Sequence, residues 1–580
     1  MQRLVWALVA FLVAKRIAYH LLFIVRDPFA LGTYSEAHRY ELAARDVLAH
    51  PPLGSLPFDV QGLYAYLLAL PMTVVPQVVM GLVLQLVLAA GALFLFQRGA
   101  RTVFGPIFGG LSLCVLLASP ELAFYENKYL PVALGIATNI VALVAAVRAS
   151  ERLRTVDVLL AGVGAGLAVL GDPALTLAVP FSMLAFAVLA RNAGKASATA
   201  LLPFVLGLSL TLAPMALRNQ LVAGKPEVVP SRSFALGLFV GNNAFADGSW
   251  NTAGGMLGSV EALESPALAK KLGVVEQDPR ALDQAIDEAL RDKAVAYIAS
   301  DPLRFVRACG HKLWLLLGNQ RFVRDYDLEG ESELVGRFHR WGLPFGVVLA
   351  LGVTGFFVLM RRAQTVRGER ARLVALLLVL SGQVFAVVVS NIVLFTSAEN
   401  RVPLLMPLAF VAGPALEALY AKLVAASASW QKPLPRWPSR LEAPAIALVV
   451  AGLLCGQAFW PRLVTTGRPS AAHYYNLGAV EEQLERFDDA ERHYAKARAQ
   501  NPRQAMFFLA QGRVLRRLGR FEEAMRLLTH IIKMPNTPSE LHREAFAERM
   551  LTAALMTQSA DEGLPAPAPP VLSSPALPAP

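Results

Sequence analysis

The sequence predicts an all-α polytopic membrane protein of about eleven transmembrane helices, with a large, mostly helical outer loop and a C-terminal α-solenoid. Three observations lead there. Of 580 residues, 55% are hydrophobic and 17% charged, whereas soluble domains carry about 25% charged residues. The apolar residues gather in runs near bilayer length. Beyond the last run, a pattern recurs with an offset of 34 residues.

The apolar runs fall at 4–25, 77–97, 103–119, 129–148, 157–170, 173–190, 198–217, 343–361, 373–396, 402–424 and 443–460. A full span needs about 20 residues, so 157–170 and 173–190 are expected to be tilted or partly re-entrant. The opening MQRLVWALVAFLVAKR looks like a signal peptide, but no small-residue cleavage site follows and the run continues to Val25, so a retained span is expected. The stretch GLYAYLLALPMTVV (62–75) is too short to cross and contains Pro71, which predicts a helix lying at the interface. With that segment lying flat, the short loops holding Arg98 and Arg101, Arg148 to Arg154, Arg191 and Lys195, Arg361 to Arg372, and Lys422 to Arg440 all fall on one side. The positive-inside rule then puts the N-terminus in and the C-terminus out. The expected organisation is a first transmembrane module (1–217) with an outer loop at 26–76, a large outer loop (218–342), further spans (343–460), a repeat region (469–558) and a Pro/Ala-rich tail (559–580) expected to be disordered.

The net charge of +11 is spread through short loops between apolar runs, which is a topology signal; no nucleic-acid partner is expected. Cys114, Cys309 and Cys455 have no metal-type spacing and give no disulfide framework.

In the C-terminal region, AAHYYNLGAVEEQLERFDDAERHYAKARAQNPRQ (471–504) is followed by AMFFLAQGRVLRRLGRFEEAMRLLTHIIKMPNTP (505–538). Gly478 aligns with Gly512, Phe487 with Phe521 and Ala490 with Ala524. Tyr474, Leu477, Gly478, Ala490, Tyr494, Ala497 and Pro502 fit the tetratricopeptide pattern, whose small residues let paired helices approach closely. SELHREAFAERMLTAAL reads as a further unit cut short. A concave repeat surface suits a protein acceptor or partner.

Where the first span ends, residues 26–46 read RDPFALGTYSEAHRYELAARD. Asp-Pro breaks the apolar run, Ser35 is placed as a helix cap, and Glu36 opens a polar helix. An acid at a helix start is ordinary helix chemistry; the alternative is a carboxylate that reacts at the membrane surface. Further polar candidates are Arg39 and Asp59 in the same loop, Glu126 and Lys128 in SPELAFYENKYL, Arg218 with Asn219, Asn242, Asn243 and Asp247 in LFVGNNAFADGSW, and Arg401 in SAENRVPLLMPLAF. Each has a plainer reading as a turn cap, an exposed loop residue or an interfacial arginine. Lys15, Arg16 and His20 lie within the first span, where polar groups are expensive and often functional; they also suit the place where that helix enters the interface.

These segments, in this order, resemble the GT-C membrane glycosyltransferases, specifically bacterial relatives of protein O-mannosyltransferases and lipid A aminoarabinose transferases. The resemblance covers roughly residues 1–425. It implies a polyprenyl-phosphate sugar donor bound at the outer face of a bacterial inner membrane, with the repeats on the periplasmic side. It also implies that an acid of the first outer loop is the catalytic base. That acid is usually aspartate; here the position holds Glu36, with an arm one methylene longer. Of the Arg-Tyr-Arg-like run of the relatives, Glu399-Asn400-Arg401 keeps only the last arginine. Inverting transfer from a phosphate carrier needs one base for the acceptor hydroxyl and no second acid, because phosphate already leaves well. The leaving phosphate needs cations, and Arg39, Lys128, Arg218 and Arg401 are the candidates, with Asp59, Glu126, Asn242 and Asn243 as further substrate-binding residues. The first loop has no DxD, so no metal cofactor is expected. Three other readings remain open: an O-antigen ligase or polymerase type of enzyme, a transporter, and a non-catalytic scaffold that recruits partners through the repeats.

Overall fold

The computed structural model describes residues 1–75, 78–229, 231–250, 265–276, 278–318, 326–429, 470–535 and 537–561. The described residues are helical with no strand among them. They divide into two compact units, Met1–Arg468 and Pro469–Pro580.

In the first unit, α1 (Gln2–Arg26) leads to the first-loop helices α2 (Glu36–Ala49) and α3 (Gly62–Met72). Then come α4 (Val78–Leu117), α5 (Pro120–Glu126), α6 (Val132–Arg152), α7 (Thr155–Gly171), α8 (Val179–Asn192) and α9 (Ala198–Ala223). The large loop holds α10 (Ser231–Gly241), α11 (Ser265–Leu272), α12 (Pro279–Ser300), α13 (Pro302–Leu317) and α14 (Leu328–Val335). The chain returns through α15 (Phe345–Thr365), α16 (Arg370–Val393), α17 (Ala398–Arg401) and α18 (Leu405–Ser429).

Eight helices among the described residues are long and apolar enough to cross a membrane, and the unit is that of a multi-pass membrane protein. Three of the expected runs make up the difference from eleven. Gly105, at φ 78°, and the following Pro106 kink α4, so its 40 residues hold both expected runs, 77–97 and 103–119. The run at 157–170 is α7, only 17 residues long. The run at 443–460 lies outside the described residues. At 11 residues, or about 16 Å, α3 is too short to cross.

Within this unit α6 packs on α7, α7 on α9, α15 on α18 and α18 on α4. The α7–α9 crossing depends on Gly162 and Gly207, where a Cβ would collide with the carbonyls of Phe204 and Leu159; small residues of this kind let membrane helices touch backbone to backbone. Gln383 of α16 donates to Asn139 of α6 at 2.7 Å across the buried interior. The large loop has its own core, in which Leu236, Phe239 and Val240 of α10 meet Ile286, Leu290 and Ala294 of α12, with Phe395 beyond α16 closing it. Arg232 of α10 fixes this pairing by reaching Asp283 (2.8 Å) and Asp287 (2.5 Å), one turn apart on α12.

The second unit consists of α19 (Ala471–Gln483), α20 (Phe487–Gln500), α21 (Ala505–Arg517), α22 (Phe521–Lys533) and α23 (Ser539–Asp561). Neighbours in sequence pack on each other. Gly478 lies against the Tyr494 ring, where a Cβ would come within 2.7 Å, and Arg513 and Arg516 join α21 to Glu544 and Glu548 of α23.

Candidate functional site

The first loop is built around α2. Asp27 accepts from the Phe29 amide at 3.0 Å and stops α1. Nine residues after Asp27, Glu36 takes the first position of α2. Ser35 stands before it at φ 55°, ψ −126° and its side chain makes no capping bond, so the cap expected from the sequence is occupied in position but not in chemistry. A serine at positive φ is strained, and such strain gathers at functional sites. Glu36 is half-buried. Three residues on, Arg39 forms an ion pair with Asp59 at 2.5 Å. Burial, with the Glu36 carboxylate nearby, pushes the Tyr40 hydroxyl well above the usual tyrosine range. On the next turn, burial raises the Glu41 carboxyl, but hydrogen bonds from His38, Thr33 and Arg45 outweigh it and hold the group at about 2.

Tyr40 packs edge-on against Tyr64 of α3, with ring centres 5.0 Å apart. The Tyr64 hydroxyl donates to Gln85 of α4 at 2.7 Å, and Gln85 donates to the carbonyls of Glu126 (2.9 Å) and Lys128 (2.8 Å). The loop around Glu36 is thus connected through three side chains, Tyr40, Tyr64 and Gln85, to the segment 119–130.

That segment is a hub of buried ion pairs. Glu126 meets Arg16 of α1 at 2.5 Å and His20 at 3.4 Å, and His20 also contacts Asn127 at 2.7 Å. Burial opposes ionisation of Glu126, but Arg16 and His20 hold its carboxyl below the usual range. Lys128 pairs with Glu331 of α14, which also accepts from Tyr19. The Lys128 ammonium lies 4.3 Å from the Phe23 ring centre and 4.5 Å from that of Phe124. Glu121 pairs with Arg401 at 2.5 Å, and Arg401 further donates to the Gly318 carbonyl at 2.5 Å and stacks over Phe345. Between α1, α5 and α14 a solvent-open cleft is lined by Lys15, Arg16, Tyr19, Ser119, Glu331 and Phe338 among others.

Arg218 takes a different place. It donates to the carbonyls of Leu53 (2.8 Å) and Leu56 (2.7 Å) and to Asn219 (2.9 Å), and lies 3.6 Å above the Phe58 ring centre. Asp46 holds the same stretch through the amides of Ser55 and Leu56. Asn242 and Asn243 end α10. Asn242 donates to Leu238 and to Val393 at the end of α16, while Asn243 bonds Phe239, Val240 and the Phe245 amide. Asp247 caps a turn through Ser249.

The structure therefore gathers Glu36, Arg39 and Asp59 in one group, and Glu126, Lys128 and Arg401 around 119–130. Arg218 and the two asparagines each sit in their own backbone-bonded setting. Among the described residues no three His, Cys, Asp or Glu side chains form a cluster able to hold a metal. Sequence reasoning missed Glu121, Glu331, Gln85 and Lys312. The last is fully buried at the end of α16, donating to Leu394 at 2.7 Å, and burial lowers its pKa to about 8.

Neither a protein-family model nor a curated protein matches the chain. Solved structures give distant likenesses. The apo oligosaccharyltransferase of Archaeoglobus fulgidus is 13% identical with a TM-score of 0.37, covering 83% of this chain and 59% of its own; the chain spans about three fifths of that enzyme. ArnT from Cupriavidus metallidurans bound to undecaprenyl phosphate is 12% identical with a TM-score of 0.32, covering 95% and 88%. At these identities and TM-scores the likeness decides neither fold nor activity.

Proposed function

We propose that this chain is a membrane glycosyltransferase that moves a sugar from a polyprenyl-phosphate donor to a protein, glycan or lipid acceptor at the outer face, with inversion. Glu36 is the general base. The observation that carries this reading is Glu36 at the first position of α2 behind a serine held at positive φ, in the loop where the sequence resemblance puts the base. Glu36 takes the proton of the acceptor hydroxyl, whose oxygen attacks the anomeric carbon as the bond to the carrier phosphate breaks. The charge left on the phosphate needs a cation. Arg39 suits this role best: it shares the first loop with Glu36, 22% of its side chain is exposed, and Asp59 orients its planar fork. Lys128 and Arg401 are locked in fully buried pairs with Glu331 and Glu121, whereas the Asp59 partner of Arg39 is exposed to solvent, and Arg218 is tied to backbone carbonyls. The C-terminal helices serve as a docking surface for a protein acceptor or assembly partner on the periplasmic side of a bacterial inner membrane.

The test is transfer or hydrolysis of radiolabelled polyprenyl-phosphate sugars by the lipid-reconstituted protein, wild type against Glu36→Gln. Loss of the base predicts at least about a 100-fold fall. Equal turnover by both proteins removes Glu36 from the reaction.

A further inference from the structure

Helix α13 carries an apolar stripe that nothing in the described structure covers. Leu303, Val306, Leu313 and Trp314 are 58%, 62%, 36% and 46% exposed. At 100° per residue they fall, with Gly310, within an arc of roughly 100°. Lys312, Leu315 and Leu316 occupy the opposite, buried face. The two faces of this helix are thus both apolar, but only one has a protein partner.

The height of α13 is set by α16. That helix has 24 residues, or about 36 Å of length, enough to cross the hydrocarbon of a bilayer and end at its surface. Lys312 donates to the carbonyls of Leu394 (2.7 Å) and Val393 (3.5 Å) at that end, and the Thr396 hydroxyl returns a bond to the Lys312 carbonyl at 3.2 Å. A buried ammonium satisfied by the last carbonyls of a membrane-spanning helix fixes α13 at the level where the bilayer ends. Along one edge of the stripe stand Arg304, Arg307 and His311, all exposed. Arg304 is steadied over the Tyr297 ring at 4.0 Å.

We propose that α13 is a membrane-surface helix, with Leu303, Val306, Leu313 and Trp314 sunk into the outer leaflet and Arg304 and Arg307 on the lipid phosphates. The observations select a bilayer over a protein as occupant. The helix that carries the stripe is bonded through its other face to the end of a membrane span, a tryptophan stands at the interface where aromatic belts form, and cations flank the apolar residues as they do in interfacial helices. The large loop is then fastened to the membrane along a helix about 24 Å long, in addition to its two chain connections. This placement is independent of the proposed reaction.

The test is photo-crosslinking. A benzophenone amino acid replaces Leu303, Val306 or Trp314, one at a time, in the full-length chain reconstituted in phospholipid nanodiscs, with the exposed Arg291 of α12 as the control position. These side chains are surface-exposed, so each variant is expected to fold. Phospholipid adducts by mass spectrometry at the three stripe positions, and none above background at 291, are the expected result. Crosslinks joining two copies of the chain, or unmodified peptide at all three positions, would overturn it.

Discussion

Replacing Arg218 by alanine is expected to release the segment that carries Asp59 while leaving the membrane helices intact. The guanidinium makes two bonds to backbone carbonyls, at 2.8 and 2.7 Å, and covers the Phe58 ring. Hydrogen bonds involving a charged partner contribute about 1.5–3 kcal/mol each. Water reaches the vacated carbonyls and recovers part of that, so the low end applies and the pair amounts to about 2–3 kcal/mol of local stability. At 1.4 kcal/mol per factor of ten, the opening equilibrium of residues 53–58 rises by about 30- to 140-fold. The readout is hydrogen–deuterium exchange in nanodiscs at the amides of Ser55 and Leu56, which Asp46 accepts at 2.9 and 3.1 Å. Arg218→Lys keeps the charge but not the fork, and should fall between wild type and alanine. Exchange within about twofold of wild type for Arg218→Ala would mean that Asp46 alone holds the segment, and the tethering role assigned to Arg218 would be wrong.

Arg401→Met leaves the Glu121 carboxylate buried without this cation, so the midpoint of thermal unfolding should drop by the equivalent of about 3–5 kcal/mol. Adding Glu121→Leu should recover most of the loss; a double variant as unstable as the single one would deny that the pair is coupled. Glu41 supplies a pH dependence. Its carboxyl is held at about 2, below its ordinary 4.5, so its contribution is fully present above pH 4.5 and is lost as pH falls towards 2. Exchange across α2 in wild type should accelerate through that window, Glu41→Gln should show a weaker dependence, and identical profiles would remove Glu41 as the cause.

Much of this architecture is legible in the sequence because span and periodicity are local properties. The sequence divides α4 into two runs, 77–97 and 103–119, and the backbone breaks at Gly105, two residues into the second; the helices that begin at 471, 505 and 539 keep the offset of 34 seen in the residues. Glu36 at the start of α2 was legible for the same reason. Partners are not local. Lys128 and Glu331 are 203 positions apart, and Arg401 and Glu121 are 280 apart; no spacing rule reaches so far. Ser35 shows the limit at short range: its type favours a cap, but its backbone lies at positive φ, and residue type does not report that.

The buried pairs around 119–130 bear on where chemistry can happen. Desolvating two ions costs several kcal/mol each, so such pairs are weak evidence for stability. What they do fix is arrangement. Glu121, Glu126 and Lys128 each reach a different element, α17, α1 and α14, and breaking a buried pair costs about 3–5 kcal/mol, which disfavours an exchanged set of partners by a factor of order 100 or more. The segment is therefore held in one register, and it passes that constraint through Gln85, Tyr64 and Tyr40 to the helix that begins at Glu36. A cation in this hub can meet a phosphate only by giving up its carboxylate. Arg39 can do so while still touching solvent. Under the function proposed above, the rigid, charge-satisfied interior positions and the half-exposed first loop reacts, so Glu36 and Arg39 are the first residues to change.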